Sequence, residues 1–383
     1  MRERRQTTDT FWILTASFCY MCCTMMVTPI IAGYTENLGG SGLIMGIIGG
    51  LMTITSLFCR PIAGCFMDKI DKFRISLAGA VLILAACAGY CFAPSILGLT
   101  IARIINGIGY ACCSAGLSTW LSLLLPKDKV GAGIGYYGTM QAISMAVAPS
   151  IGIRVKDAVG HRVSFLIAGL FVCITILAVF FVKDRAVPEN TGMNTKLRII
   201  DWHIAPIALG MMLFTIPYSA TQSFFVSYIA ASGRGLQPDV FFTLYAFMLI
   251  GLRVGLRNCY DKVPYLRFYR YCVISALLML FFMATMQNYI SMFFAAVFTA
   301  GSYGIMCSVS QSTAILIAGP EKCGLANSTY YIGLDLGLAL GPVLGGLLYE
   351  HLDVALFYPV LGICPLLGIC VYFLCRYTYR HHS

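Results

Sequence analysis

The sequence has 383 residues, of which 59% are hydrophobic and only 11% charged, against roughly 25% charged residues in an average soluble domain. A water-soluble fold of this size could not hide that much apolar surface, so lipid is the solvent that the composition selects. The formal charge of +10 would suit a nucleic acid if it formed one patch, but most of the cations flank apolar runs on one side, and no nucleic-acid partner is expected.

The apolar residues come in runs of about 20, the length an α-helix needs to cross the hydrocarbon core. They lack the alternating polar residues of a barrel strand, so helices are predicted. In chain order the spans fall at 11–33, 43–66, 75–92, 96–120, 130–152 and 162–182. A more polar connection, 183–202, follows with Pro188, Glu189 and Asn190 at its centre, and further spans fall at 203–230, 239–259, 268–286, 289–317, 323–349 and 354–375. The predicted fold is an all-α membrane protein of twelve transmembrane helices. Two six-helix halves, 1–182 and 203–383, are joined by the linker 183–202 and related by pseudo-two-fold symmetry. The first run is too long for a signal-peptide core and carries no small-residue cleavage site. Most of the 17 cysteines lie inside apolar runs, as in Cys19, Cys22 and Cys23, where cysteine packs as a small hydrophobe.

Of the 26 Lys and Arg residues, 21 fall on the side of the termini and the linker. Only Arg154, Lys156, Arg162 and Arg234 fall on the other side, and Arg103 lies within a span. The positive-inside rule then predicts both termini in the cytoplasm, in a multi-pass protein of the inner (plasma) membrane. One offset, 193 residues, relates the halves. It carries Arg60, Asp68 and Lys69 to Arg253, Asp261 and Lys262, Tyr110 to Tyr303, Tyr137 to Tyr330, Pro149 to Pro342, and Gly152 to Gly345. Repeats of this kind are a hallmark of several transporter folds.

Three stretches carry a resemblance to the major facilitator superfamily. Arg60-Pro61-Ile62-Ala63-Gly64-Cys65-Phe66-Met67-Asp68-Lys69, running on to Arg74, is similar to the family's motif between spans two and three. The resemblance implies gating: Gly64 for close packing, and Asp68 for charge contacts that hold the outward-open state. Asp71 stands where a glycine is usual, and a solvated charged turn is the alternative. The second copy, Arg253 to Asp261, has Arg257 in place of Gly64. Arg103-Ile104-Ile105-Asn106-Gly107-Ile108-Gly109 in span four is similar to the family's Arg-x-x-(Gln/Asn)-Gly-x-Gly signature. A mid-span arginine costs at least about 2.5–3.5 kcal/mol, so it needs a partner or a watery cavity unless it snorkels to the interface. The third stretch, Gly333 to Gly346 in span eleven, has Gly337, Gly341 and Gly345 four apart around Pro342, with Pro149 and Gly152 as the span-five counterparts. Glycines four apart let helices approach, and proline bends them. A Gly-Pro-rich span five resembles the family's exporter motif, associated with proton-coupled antiport, although Ser144 and Ala148 replace the usual glycines. A packing seam with no bearing on direction is the other reading.

Asp335 is the acidic residue placed clearly inside a span. Burial disfavours the charged carboxylate, so such a group can load and release a proton, or it can pair statically with a polar neighbour. With Arg103 it forms the expected proton-coupling set. By family analogy spans one, four, seven and ten line a central cavity, which gives Tyr20, Asn106, Tyr110, Tyr218, Gln222, Tyr303 and Gln311, with Gln141 of span five added. That aromatic and amide set suits an amphipathic organic solute.

The expected function is secondary transport of a small organic solute by alternating access, as proton-coupled efflux of a drug or metabolite by a monomer that needs no cofactor. Proton-coupled uptake of a sugar or other metabolite is the alternative. Met21, Cys22, Cys23, Met25 and Met26 place soft ligands of the Cu(I) type on span one, so copper or another metal is a further candidate cargo, although no paired His/Cys spacing marks a metal site. No phosphate loop or His-Glu-x-x-His pair points to an enzyme.

Overall fold

A computed structural model describes residues 2–67, 71–93, 95–125, 130–185, 200–256, 263–318 and 323–378. Among these residues there are twelve helical spans and no strand. They are α1 (Arg2–Asn37), α2 (Gly42–Met67), α3 (Lys72–Phe92), α4 (Ile96–Leu124), α5 (Val130–Val159), α6 (His161–Phe181), α7 (Ala205–Ser232), α8 (Pro238–Gly255), α9 (Tyr265–Ala284), α10 (Tyr289–Ala318), α11 (Cys323–His351) and α12 (Val354–Thr378). Nine have the length and hydropathy to cross a membrane among the described residues. The polar residues of α7 account for its absence from that set: Thr215, Ser219, Thr221, Gln222, Ser223 and Ser227 all lie on one helix and all are buried.

The chain divides into two compact units, 1–40 with 51–193, and 41–50 with 194–383. Each repeats one packing scheme. In the first unit α1 packs on α5 and α6, and α3 on α4 and α6; in the second α7 packs on α11 and α12, and α9 on α10 and α12. The offset of 193 residues is thus matched by equivalent helix pairs.

Small residues set the closest approaches, as lipid-immersed packing requires. In the first unit a Cβ on Gly152 of α5 would stand 2.5 Å from the Met26 carbonyl oxygen of α1, and one on Gly79 of α3 would stand 2.8 Å from the Gly109 carbonyl oxygen of α4. Gly107, the other glycine of the span-four motif, lies against the Met52 carbonyl oxygen and Thr55 of α2. In the second unit Gly333, Gly337, Gly341 and Gly345 of α11 face Ala208, Thr215, Ser219 and Phe224 of α7. The Ser219 hydroxyl donates across this seam to the Gly337 carbonyl oxygen at 2.9 Å. Residues 41–50 also lie on α11 within that unit, and the Leu43 N–H donates to the Glu350 carboxylate at 2.6 Å. Pro149 and Pro342 sit inside α5 and α11.

α10 departs from regular geometry. Between two α-helical stretches, Ala300–Gly304 form a π-turn. Such turns hold an extra residue in the helical winding and recur at functional sites.

The first helix begins well before residue 11, where the sequence reading starts span one. Asp9 is therefore part of α1 and 2% exposed. Its two carboxylate oxygens accept the backbone N–H groups of Lys183 and Asp184 just beyond α6, each at 3.2 Å. The Trp120 indole N–H of α4 donates to the Asp184 carbonyl oxygen at 2.8 Å, and the Arg185 guanidinium lies 4.4 Å from the centre of the Phe73 ring. Asp9→Ala would leave the Lys183 and Asp184 N–H groups without their charged acceptor. We expect it to cost about 1–3 kcal/mol, read as a lower melting temperature of the purified protein in detergent.

Candidate functional site

In the first unit, Tyr20, Tyr110, Tyr137 and Gln141 come together from α1, α4 and α5. The Gln141 amide donates to the Tyr20 hydroxyl at 3.0 Å, the Tyr20 and Tyr137 hydroxyls are 3.2 Å apart, and the Tyr137 hydroxyl donates to the Ser114 carbonyl oxygen at 3.2 Å. With Tyr137 donating onward, the Tyr20 hydroxyl donates to it, and the bonds run in one direction from amide to carbonyl. The Tyr110 ring meets Tyr20 edge-on at 6.0 Å. Asn106, one helical turn before Tyr110, is fully buried, and neither amide atom has a hydrogen-bond partner among the described residues.

The second unit builds a parallel cluster from α7, α8, α10 and α11. Tyr218 and Tyr303 stack face to face, with ring centres 3.6 Å apart and planes 7° from parallel. The Tyr245 ring lies 6.0 Å from Tyr218, whose hydroxyl accepts from the Gln222 amide at 2.9 Å. The Gln222 carbonyl oxygen is buried with no hydrogen bond among the described residues. A buried acceptor in that position carries a desolvation cost that a donor from a bound solute would relieve. Further along, the Tyr330 hydroxyl donates to the Cys307 carbonyl oxygen at 3.0 Å and the Gln311 amide donates to the Tyr331 hydroxyl at 3.3 Å. In each unit, therefore, a glutamine amide holds a tyrosine hydroxyl and that tyrosine ring meets a second tyrosine ring.

Asp335 is 3% exposed and stands one turn beyond Tyr331 on α11. Gly333 and Gly337, two residues to either side, face α7, so Asp335 lies on the opposite side of the helix from that seam. Arg103 is 1% exposed, and its Nη1 lies 3.9 Å from the Met52 sulfur, with the Tyr90 hydroxyl of α3 also beside the guanidinium. It is packed inside the first unit; the snorkelling alternative does not describe it. Arg60 ends half-buried in α2, Gly64 lies in the last turns of that helix, and Arg253 is half-buried in the last turns of α8. Asp68, Lys69 and Asp261 lie outside the described residues.

Sequence reading did not single out Asp9 as a buried acid, nor Tyr245, Tyr331 and Cys307 as members of the clusters. Tyr137 and Tyr330 were visible only through the 193-residue offset, which was the signal that could have added them. Of the soft side chains on α1, the Cys23 sulfur meets that of Cys87 at 3.4 Å. No group of three or more metal-binding side chains forms among the described residues.

Twelve long helices in two sets of matching pairs, with polar and aromatic side chains gathered inside each, define a multi-pass membrane transporter. The chain belongs to the Major Facilitator Superfamily, whose family model matches residues 13–322 and, in a second match, 260–383. It is 20% identical to the quinolone resistance protein NorA of Staphylococcus aureus (strain MSSA476) over 90% of this chain and 91% of that one. It is 22% identical to an MFS-type transporter of Methanocaldococcus jannaschii over 94% of this chain and 96% of the relative. In structure it is similar to the nucleoside transporter NupG, with a TM-score of 0.78 at 11% identity over 97% of this chain and 100% of that one. It is also similar to a peptide transporter, POT, in complex with alafosfalin, with a TM-score of 0.81 at 11% identity over 99% of both chains. Membership of that family places a lipid bilayer around the chain and a small-molecule substrate within its function.

Proposed function

We propose that this transporter moves an amphipathic aromatic solute outward in exchange for protons. The observation that carries the reading is the pair of tyrosine–glutamine clusters, above all the Tyr218–Tyr303 stack beside the unmatched Gln222 carbonyl oxygen. Stacked rings favour a flat apolar body, and a buried acceptor favours a solute with an N–H or O–H group. Substrate contacts are assigned to Tyr20, Asn106, Tyr110, Gln141, Tyr218, Gln222, Tyr303 and Gln311.

Asp335 carries the exchanged proton in this reading, and Arg103 fixes the electrostatics of the first half. The halves 1–182 and 203–383 alternate in access, with 183–202 as their connection. Arg60, Gly64, Asp68, Lys69, Arg253 and Asp261 serve as gating contacts, and Pro149, Gly152, Gly337, Gly341, Pro342 and Gly345 as the seams on which helices turn. The protein acts as a monomer in the plasma membrane with both termini in the cytoplasm. Similarity to a quinolone resistance protein favours efflux, whereas similarity in fold to nucleoside and peptide transporters supports proton-coupled uptake as the second reading.

Proteoliposomes with an acid lumen separate the two. Addition of aromatic dyes, antibiotics and small metabolites outside is expected to draw protons out of the lumen with at least one aromatic amphiphile. Substrate-dependent proton entry under the reversed gradient, with no exchange under the first, would establish uptake and overturn the efflux reading.

A further inference from the structure

The helices α7 and α11 touch closely at Ala208 and Gly333, where a side chain on Gly333 would run into the Ala208 carbonyl group. Beside that contact they leave a cleft of about 160 Å³. Trp202, Ala205, Ala208 and Leu209 line it from the α7 side, and Gly333 and Leu336 from α11. Its lining is apolar, and its rim is open: Trp202 is 80% exposed and Leu209 40%. An exposed tryptophan at the start of a spanning helix is characteristic of the membrane–water interface.

Asp201 and His203 flank the lining residue Trp202 in the chain. Asp201 is fixed where α7 begins: its N–H donates to the Thr329 hydroxyl of α11 at 2.8 Å, and one carboxylate oxygen accepts the His203 N–H at 3.0 Å. Its carbonyl oxygen accepts the N–H groups of Ile204 and Ala205 at 3.0 and 3.1 Å. The second carboxylate oxygen has no hydrogen bond among the described residues, and His203 is exposed beside it.

An apolar trough that opens beside an interfacial tryptophan fits one acyl chain of a membrane lipid. A carboxylate at its mouth selects the headgroup. It repels a net-anionic lipid, and it gains a charge-assisted hydrogen bond only from an ammonium that still bears N–H groups. We propose that this cleft binds phosphatidylethanolamine, with one acyl chain between Leu209 and Leu336, the ammonium on Asp201 and the phosphate toward His203. The structural role of Asp201, holding the turn that leads into α7 by accepting the His203 N–H, needs only the oxygen already engaged and predicts no lipid preference.

The test is native mass spectrometry of the full chain in detergent, offered equal amounts of phosphatidylethanolamine, phosphatidylcholine and phosphatidylglycerol with identical acyl chains. Retention of phosphatidylethanolamine is expected to exceed that of each other lipid by about tenfold, as for a hydrogen bond to a charged group. Asp201→Asn keeps the turn, because the asparagine side-chain oxygen accepts the same His203 N–H, and is expected to erase the preference. Ala205→Phe fills the trough and is expected to lower retention of phosphatidylethanolamine to the level of phosphatidylcholine. Should that variant fold poorly, Trp202→Ala, which changes an exposed side chain, carries the same expectation. Equal retention of the three lipids, a preference for phosphatidylglycerol, or a preference that survives Asp201→Asn would overturn the proposal. Wild-type retention in a folded Ala205→Phe variant would do the same. The readout is bound lipid, so it is decided independently of substrate, direction and proton coupling.

Discussion

Gly337→Leu is expected to prevent recovery of folded protein, whereas Gly251→Leu is expected to behave as wild type. A Cβ at Gly337 would lie 2.6 Å from the Thr215 Cβ and 2.8 Å from the Met212 carbonyl oxygen, so α7 would have to move as a backbone. The same displacement would break the Ser219 to Gly337 hydrogen bond and disturb Gly333, Gly341 and Gly345, which hold the rest of the seam. Overpacking a tight core by a few carbon atoms costs about 1–3 kcal/mol or more, and here a whole helix pair is involved. Gly251 has nothing within 4 Å of its Cβ position, and surface changes of that kind stay within about 0.5 kcal/mol. Gel-filtration yield and melting temperature in detergent measure the contrast. Equal profiles for the two variants would show that the α7–α11 seam tolerates bulk and is not what holds these helices together.

Asp335→Asn is expected to abolish substrate-driven proton movement while the protein remains folded. The side chain is 3% exposed in a spanning helix, where a carboxylate costs about 2.5–3.5 kcal/mol. Asparagine preserves its size and hydrogen-bonding capacity but cannot carry a proton. In the acid-lumen liposomes the proton flux per added substrate should fall at least about tenfold, while binding of the aromatic solute, which depends on the tyrosine clusters, stays within a few-fold. The sign of any residual transport is informative: a variant that still equilibrates solute without moving protons has lost coupling alone. Unchanged proton flux in a folded Asp335→Asn variant would reduce Asp335 to a packing residue and move the coupling group elsewhere.

The sequence made the helices legible because each apolar run must match one membrane thickness, and the repeat legible because one offset joined residues as unlike as Arg60, Tyr110 and Pro149. Asp9 escaped because α1 continues into a polar start, Arg-Glu-Arg-Arg-Gln-Thr-Thr, that hydropathy alone assigns to a loop. What buries it is the chain just beyond α6, a tertiary fact with no local signature. The tyrosine–glutamine clusters were half legible: tyrosines and glutamines stand out in apolar runs, but which hydroxyl accepts from which amide depends on how α1 meets α5 and how α7 meets α10. The π-turn was not legible at all, because Ala-Gly-Ser-Tyr-Gly has the composition of an ordinary packing segment.

That π-turn gives one span two addresses. In an unbroken α-helix Tyr303, Cys307 and Gln311, four residues apart, would share a face. Each residue of an α-helix turns the chain by about 100°, so one held in a bulge resets the register of all that follow. Tyr303 lies in the bulge and stacks on α7, while Cys307 and Gln311 lie after it and bond to Tyr330 and Tyr331 of α11. Its counterpart in the other half, Tyr110, lies in a continuous α-helix. An internal repeat therefore does not make the halves interchangeable: swapping α4 for α10 in a chimera would carry the right residues at the wrong azimuth.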